Sequence, residues 1–412
     1  MKVLLINRND FVDGGADRVF LNTVELLSDM DFGFQVSGIR YQVEKFTRQD
    51  AGMDSSVDPR SLSVWGKLRL VKDYLYNRKV SRSLKNKIVS FKPDVAHVHL
   101  IFGTLSGSVL RTLKKQKVPV VMTVHDYRLL CPANAMLDRH GKICEKCRKT
   151  RYYQCFFRRC SEGNLLYSAM IMLEAYLRKW FIKPIKLVDR FIFVSDFARG
   201  KHISYDKRYA DKSIRLYNMT DEKAEQPAAK GDYFLFFGRI SKEKGLTTLI
   251  KAIKGKNIKL VIAGRGPQEE EVSRMADAQP IINGNQSTDH NIEFAGFKSG
   301  NDLERLIRNC SFVVVPSEWY ENNPMTVVEA FALGKPVIGA RIGGIPELVT
   351  SGTGFLFESG DPLSLSEAIS NANDIEDKEY QRLSRNCLEF AQTRFGRREH
   401  LRNLEKIYKM VV

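Results

Sequence analysis

Residues 317–347 read SEWYENNPMTVVEAFALGKPVIGARIGGIPE, and the fold of the chain is legible outward from them. Asn323 is a good helix N-cap and Pro324 suits the first helical position. Behind them, Met325, Thr326 and Val327 point backbone N–H groups out of the helix start. That end carries partial positive charge and favours an anion or the oxygens of a polar ligand. Glu321 stands just before the helix, and Glu329 lies about 8 Å along it at about 1.5 Å of rise per residue. Two carboxylates flanking one helix start can accept hydrogen bonds from hydroxyls at two ends of one ligand.

Upstream, residues 237–245 read FGRISKEKG. A strand ends at Gly238, and Arg239 and Lys244 flank a loop that opens a helix. Arg offers a fork to phosphate oxygens and Lys a point charge. Fixed cations aimed at a leaving group that gains negative charge stabilise a transition state more than a ground state. Lys242 reads as a surface charge. Gly264-Arg265-Gly266-Pro267 is a further glycine turn after a strand.

Short apolar runs alternate with helical periods almost throughout the 412 residues. In the first half, strands are expected at 2–7, 95–99, 118–125 and 190–195. In the second, they are expected at 233–237, 259–263, 292–295, 311–315, 336–339 and 353–357. This order implies parallel sheets. Residues 222–232 are poor in bulky apolar side chains and read as a linker. The expected architecture is α/β, with two Rossmann-like doubly wound domains over 1–220 and 221–390. The helical, charged segment 379–410 is expected to let residues 391–412 pack back on the first domain. The N-terminal apolar run is too short for a signal-peptide core, and no run of 18 apolar residues occurs.

The segment from Glu321 resembles the retaining glycosyltransferases of family 4, which have the GT-B fold, two domains facing across a cleft. Their mark is a Glu, seven residues, a second Glu, then Ala and a Gly-x-Pro-Val-Ile strand. Here these are Glu321, Glu329, Ala330 and residues 334–338, followed by Gly343-Gly344-Ile345-Pro346-Glu347. The resemblance covers essentially the whole chain. It implies that Glu321 holds hydroxyls of a donor sugar, that Glu329 holds the ribose, and that Asn323, Pro324 and Met325 place backbone near the sugar. It also implies that Arg239 and Lys244 meet the diphosphate of a nucleotide-sugar donor, with Gly238 and Gly264 close to the nucleotide. Gly15, opening the first helix within Gly14-Gly15-Ala16, would approach the diphosphate from the other domain. His125, at the end of a strand in His125-Asp126-Tyr127, resembles the family's cleft histidine and would bond the sugar or help receive the acceptor proton. His97 and His99 read as mainly structural.

No general-base carboxylate is evident. The Asp-x-Asp text at 29–31 falls at a helix end, so no cofactor is expected in catalysis. Five of seven cysteines fall in an insert at 131–160. In an intracellular chain they are expected to stay reduced. The two-residue spacing of Cys144 and Cys147, with Cys131 and Cys155 nearby, suits a structural zinc site, and reduced thiols in an irregular loop are the alternative.

Charge is split unevenly. Residues 1–220 hold 40 Lys and Arg against 21 Asp and Glu, a net of +19, and the remainder holds 25 against 27, a net of −2. Residues 65–89 and 165–188 mix cations with Trp, Tyr, Phe and Leu, which suits an anionic membrane surface. No nucleic-acid motif accompanies the charge. The reading is a cytoplasmic enzyme, peripheral on the inner face of the cytoplasmic membrane. It would move a hexose or N-acetylhexosamine to a lipid-linked or oligosaccharide acceptor in cell-surface polysaccharide synthesis. A sugar-nucleotide epimerase of the same fold is the alternative.

Overall fold

The runs VLLI, VVMTV, FLFF and LVIA have almost no polar face, and each becomes a strand buried on both sides, as parallel sheets with helical crossovers require. The computed structural model describes residues 1–29, 38–53, 71–161, 163–221, 224–277 and 291–412. Met30 and Asp31 of the Asp-x-Asp text, residues 65–70 of the first basic segment, and linker residues 222–223 lie outside the described residues.

The described chain divides into two units, Met1–Met219 with Arg397–Val412, and Thr220–Gly396. The first holds β1 (Lys2–Ile6), β2 (Gln42–Phe46), β3 (Val95–Val98), β4 (Val120–Val124), β5 (Arg190–Phe193) and β6 (Ser213–Arg215), all parallel, in the order β2-β1-β3-β4-β5-β6. The second holds β7 (Phe234–Phe237), β8 (Leu260–Ala263), β9 (Ile292–Gly296), β10 (Val313–Val315), β11 (Val337–Ala340) and β12 (Gly354–Phe357), also parallel, in the order β12-β11-β10-β7-β8-β9. Strand order reverses beside β1 and β3 in the first sheet and beside β7 and β10 in the second. Ligands of open parallel sheets sit beyond the carboxyl ends of such strands.

The sequence reading misses β2 and β6. Both are edge strands: Gln42–Phe46 has three polar or charged residues among five and buries only Phe46, and Ser213–Arg215 is three half-buried residues. An edge strand lacks the continuous apolar run that marks a central one. The charged C-terminal segment is two helices rather than one. Asp377–Arg394 stays in the second unit, the chain crosses at Phe395-Gly396, and Arg397–Lys409 joins the first. There Leu401, Leu404, Ile407 and Tyr408 enter the core with Val3, Leu5, Phe20, Val95 and Val121. Among the described residues, no helix is long and apolar enough to cross a membrane.

Candidate functional site

The second unit's switch point gathers the motif. Leaving β10, Ser317 and Glu321 are buried, and the Ser317 hydroxyl donates to Glu321 Oε1 at 2.9 Å. Leaving β7, Lys244 reaches the same oxygen with its Nζ at 2.6 Å and stands 5.4 Å over the Trp319 ring. A cation and a carboxylate 77 residues apart in sequence therefore meet at one buried oxygen. The backbone reinforces the junction: Glu318 N–H donates to the Glu243 carbonyl at 2.8 Å, and Gly344 N–H donates to the Glu321 carbonyl at 2.7 Å.

Arg239 does not join this knot. Its Nε donates to Ser241 Oγ at 3.2 Å, its Nη2 pairs with Glu243, and its side chain is 66% exposed. Burial pushes the Glu243 carboxyl up, but the Ser241 hydroxyl and Arg239 outweigh it and hold the group below its usual range. Glu243 is thus a positioning residue that the sequence reading passed over. Lys242 is exposed. Gly238 and Gly264 touch: a Cβ on Gly264 would lie 1.9 Å from the Gly238 carbonyl oxygen, so only glycine lets the ends of β7 and β8 approach this closely.

The helix after Glu321 runs Met325–Ala332 and starts one residue later than its sequence suggests. Pro324, not Asn323, is the capping residue, and no side chain caps the start. Pro324 is extended at ψ 123°, and its fixed φ of −64° suits the entry to a helix. Asn323 is instead buried beside Glu321 and Asn322. Val327 N–H already donates to the Pro324 carbonyl at 3.0 Å. The groups left at the helix start by its geometry are therefore those of Met325 and Thr326, and not Val327. Glu329, half-buried, lies on this helix. The Gly334–Ile338 part of the motif is structural: Lys335 is fully buried, its Nζ donating to the Ala229 and Cys310 carbonyls at 2.7 and 2.8 Å.

The first unit has its own switch point. Asn7, just past β1, donates to Asn9 O and Asp17 Oδ1 at 2.9 Å each, and its Oδ1 accepts the Leu100 N–H at 3.1 Å. It ties the loop after β1 to the loop after β3. Gly15 begins the helix Gly15–Ser28, and Asp17 in its first turn is fully buried with Arg8 at 3.2 Å. Asn7, Arg8 and Asp17 were not singled out by sequence, because none belongs to a recognisable spacing.

Three histidines form a row, His97 and His99 buried and His125 half-buried. His99 Nδ1 and His125 Nε2 share a proton at 2.9 Å, and His97 bridges Tyr408 Oη and Thr123 Oγ1 at 2.8 and 2.7 Å. Burial pushes His125 down to about 4, although Asp17 favours its charged form, and pushes His97 down to about 3. Both imidazoles are neutral at pH 7. Asp126 accepts the Arg128 N–H at 2.9 Å and shapes the following turn.

In the cysteine-rich insert all five thiols are free, Cys131 and Cys155 buried and Cys144, Cys147 and Cys160 half-buried. Among the described residues, no three of His, Cys, Asp or Glu are grouped so as to hold a metal ion. Other contacts hold the insert: Cys144 N–H donates to Met136 O at 2.8 Å, and Glu145 meets Lys201 Nζ at 2.8 Å and Tyr205 Oη at 3.2 Å. Burial pushes the Cys131 thiol up to about 11, so it stays protonated.

Comparison with known proteins agrees with this geometry. Residues 218–389 match the family described as glycosyl transferases group 1, and residues 13–223 match Glycosyltransferase Family 4. An uncharacterized glycosyltransferase of Methanocaldococcus jannaschii is 27% identical over 328 residues, 79% of this chain and 78% of that protein. An uncharacterized 42.6 kDa protein in the cps region of Klebsiella pneumoniae is 26% identical over 367 residues, 84% of this chain and 87% of that protein. Among solved structures, Anabaena HepE in complex with UDP-glucose has a TM-score of 0.64 at 18% identity, covering 100% of both chains, a likeness that carries the fold. The two family matches between them span residues 13–389, and the chain belongs to glycosyltransferase family 4, built from the two parallel-sheet α/β domains of the GT-B fold.

Proposed function

We propose that this glycosyltransferase moves a hexose or N-acetylhexosamine from a nucleoside diphosphate sugar to a lipid-linked glycan, with retention at the anomeric carbon, in cell-surface polysaccharide synthesis. The observation that carries this reading is the junction of Lys244, Ser317 and Glu321 at the second sheet's switch point. It offers a buried carboxylate for sugar hydroxyls and, on the same oxygen, a cation for phosphate. The UDP-glucose complex of the Anabaena protein supports a uridine nucleotide as donor, and the cps-region relative supports a surface polysaccharide as product.

In this mechanism the bond from the anomeric carbon to the phosphate oxygen breaks, and its electron pair stays with the phosphate. The acceptor hydroxyl attacks from the same face, and its proton passes to that phosphate oxygen. Lys244 and Arg239 stabilise the charge gained by the leaving group. Glu321 orients the sugar, and Glu329 takes the ribose hydroxyls. Asn323, Pro324 and Met325 line the sugar, and Gly238, Gly264 and Gly15 let backbone approach the nucleotide. Neutral His125 can accept or donate one hydrogen bond to a sugar or acceptor hydroxyl. The protein works on the cytoplasmic face of the membrane.

Incubation with a panel of sugar nucleotides and membrane lipid extract, with nucleoside diphosphate release as readout, tests this. Glu321→Ala, Lys244→Ala and Arg239→Ala are each expected to lower transfer about 100-fold or more, in the range of one lost transition-state contact, with far-UV circular dichroism unchanged. Unchanged turnover in all three rejects the site. An altered sugar nucleotide formed without acceptor would mark an epimerase instead.

A further inference from the structure

The helix Leu165–Leu177 buries Ile171 and Ala175 yet leaves a second apolar face uncovered. With them it buries Ser168 and Glu174, the latter paired with Arg178, and it exposes Leu166 at 82% along with Leu165, Tyr167 and Leu173. The π-helical turn Arg178–Ile182 continues this face, with Trp180 and Phe181 at 55% and 60% exposure. A π turn inside a helical run is rare and concentrates at functional positions.

Beside that turn opens a cavity of about 300 Å³ lined by six cations, Lys149, Arg178, Lys179, Lys183, Lys186 and Arg208, against one acid, Asp206. Asp206 is occupied by Arg208 at 2.6 Å and Lys179 at 3.6 Å, and Arg178 is occupied by Glu174. Lys149, Lys183 and Lys186 are exposed and have no ion pair among the described residues. Lys149, Thr150 and Lys183 also line the cavity in the left-handed region, at φ 57°, 63° and 56°. Side chains resist that conformation, so three such residues around one hollow carry a conformational cost. Like charges gathered at one rim repel each other unless an anion joins them.

We propose that this cavity takes the phosphate group of an anionic membrane lipid, while Trp180, Phe181 and the exposed leucines enter the boundary between headgroups and acyl chains. Charge selects the headgroup and the aromatic face selects a bilayer over free phosphate. The inference rests on the membrane-borne acceptor of the proposed function. It adds a separate, non-catalytic lipid site in the first unit.

The test is co-sedimentation of the full-length protein with phosphatidylglycerol or phosphatidylcholine vesicles at fixed ionic strength, with and without inorganic phosphate as competitor. The wild type is expected to bind the anionic vesicles preferentially. The triple variant Lys149→Ala, Lys183→Ala, Lys186→Ala is expected to lose about 100-fold in that binding, from three surface cations. Trp180→Ala with Phe181→Ala is expected to lose binding as well. Circular dichroism and nucleoside diphosphate release from the donor in the presence of a water-soluble acceptor are expected to stay unchanged in both. Equal binding to both vesicle types, binding within twofold of wild type in the lysine variant, or phosphate binding without vesicle binding would overturn the site. Vesicle binding without any donor turnover would instead overturn the proposed function and leave the lipid site standing.

Discussion

Gly343 sits at φ +61°, and a Cβ there would lie 2.3 Å from the Glu321 carbonyl oxygen and 2.6 Å from its amide nitrogen. The turn after β11 is thereby pressed against the residue that presents the carboxylate. The Lys244–Glu321 pair depends on this backbone placement, because a buried ion pair stabilises only when its geometry is good. Gly343→Ala is expected to displace Glu321, lower turnover at least about tenfold, and cost about 1–3 kcal/mol of stability, the range for an enforced left-handed residue. Steady-state kinetics with a urea unfolding curve checks both. Wild-type turnover in this variant would mean that Glu321 tolerates a shifted backbone. The sequence marks Gly343 and Gly344 as part of the motif, but it does not show which carbonyl they press against.

At the scale of elements, the C-terminal helix Arg397–Lys409 carries Leu404 into the first unit's core, 1% exposed. Tyr408 adds the 2.8 Å bond to His97 at the centre of the first sheet. Leu404→Ala is expected to cost about 2–4 kcal/mol, the range for a buried leucine whose cavity collapses only partly. A midpoint shift in urea unfolding without a change in slope would show this, and a loss under about 0.5 kcal/mol would mean that the helix is not integral to that core. Its apolar spacing was legible in the sequence. The break at Phe395-Gly396 was not, because both flanking segments carry the same helical period. β2 and β6 were missed for a related reason: an edge strand is recognised by its partner rather than by its own composition.

For the whole molecule, five histidines of the first unit, His97, His99, His125, His202 and His400, are pushed below their usual range by burial. Desolvation pushes His97 down to about 3 and His125, His202 and His400 down to about 4. In the unfolded chain each titrates near 6.5. Below that pH the unfolded state takes up protons that the folded state refuses until about pH 4. Stability is therefore fully present above pH 6.5 and is lost as pH falls toward 4, by up to about 1.4 kcal/mol per pH unit for each histidine. The melting temperature is expected to fall between pH 7 and pH 5 at constant ionic strength. A flat profile would show that these rings are protonated in the folded protein. The uneven charge of the chain acts on the same scale, since its positive excess lies within residues 1–220, where the lysine-rimmed cavity also lies.

The sequence by itself determined the two parallel sheets, because central strands announce themselves as apolar runs buried on both faces. It also determined the Glu321–Glu329 motif and its glycosyltransferase family, because carboxylate spacing along a helix is a local property. Tertiary structure alone decided that Lys244 closes on Glu321 while Arg239 turns to Glu243, and that the helix Leu165–Leu177 leaves Leu165, Leu166, Tyr167 and Leu173 exposed. Each of these depends on which surfaces meet after the chain has folded. Spacing along a chain fixes what one element can present, and only packing fixes what faces it.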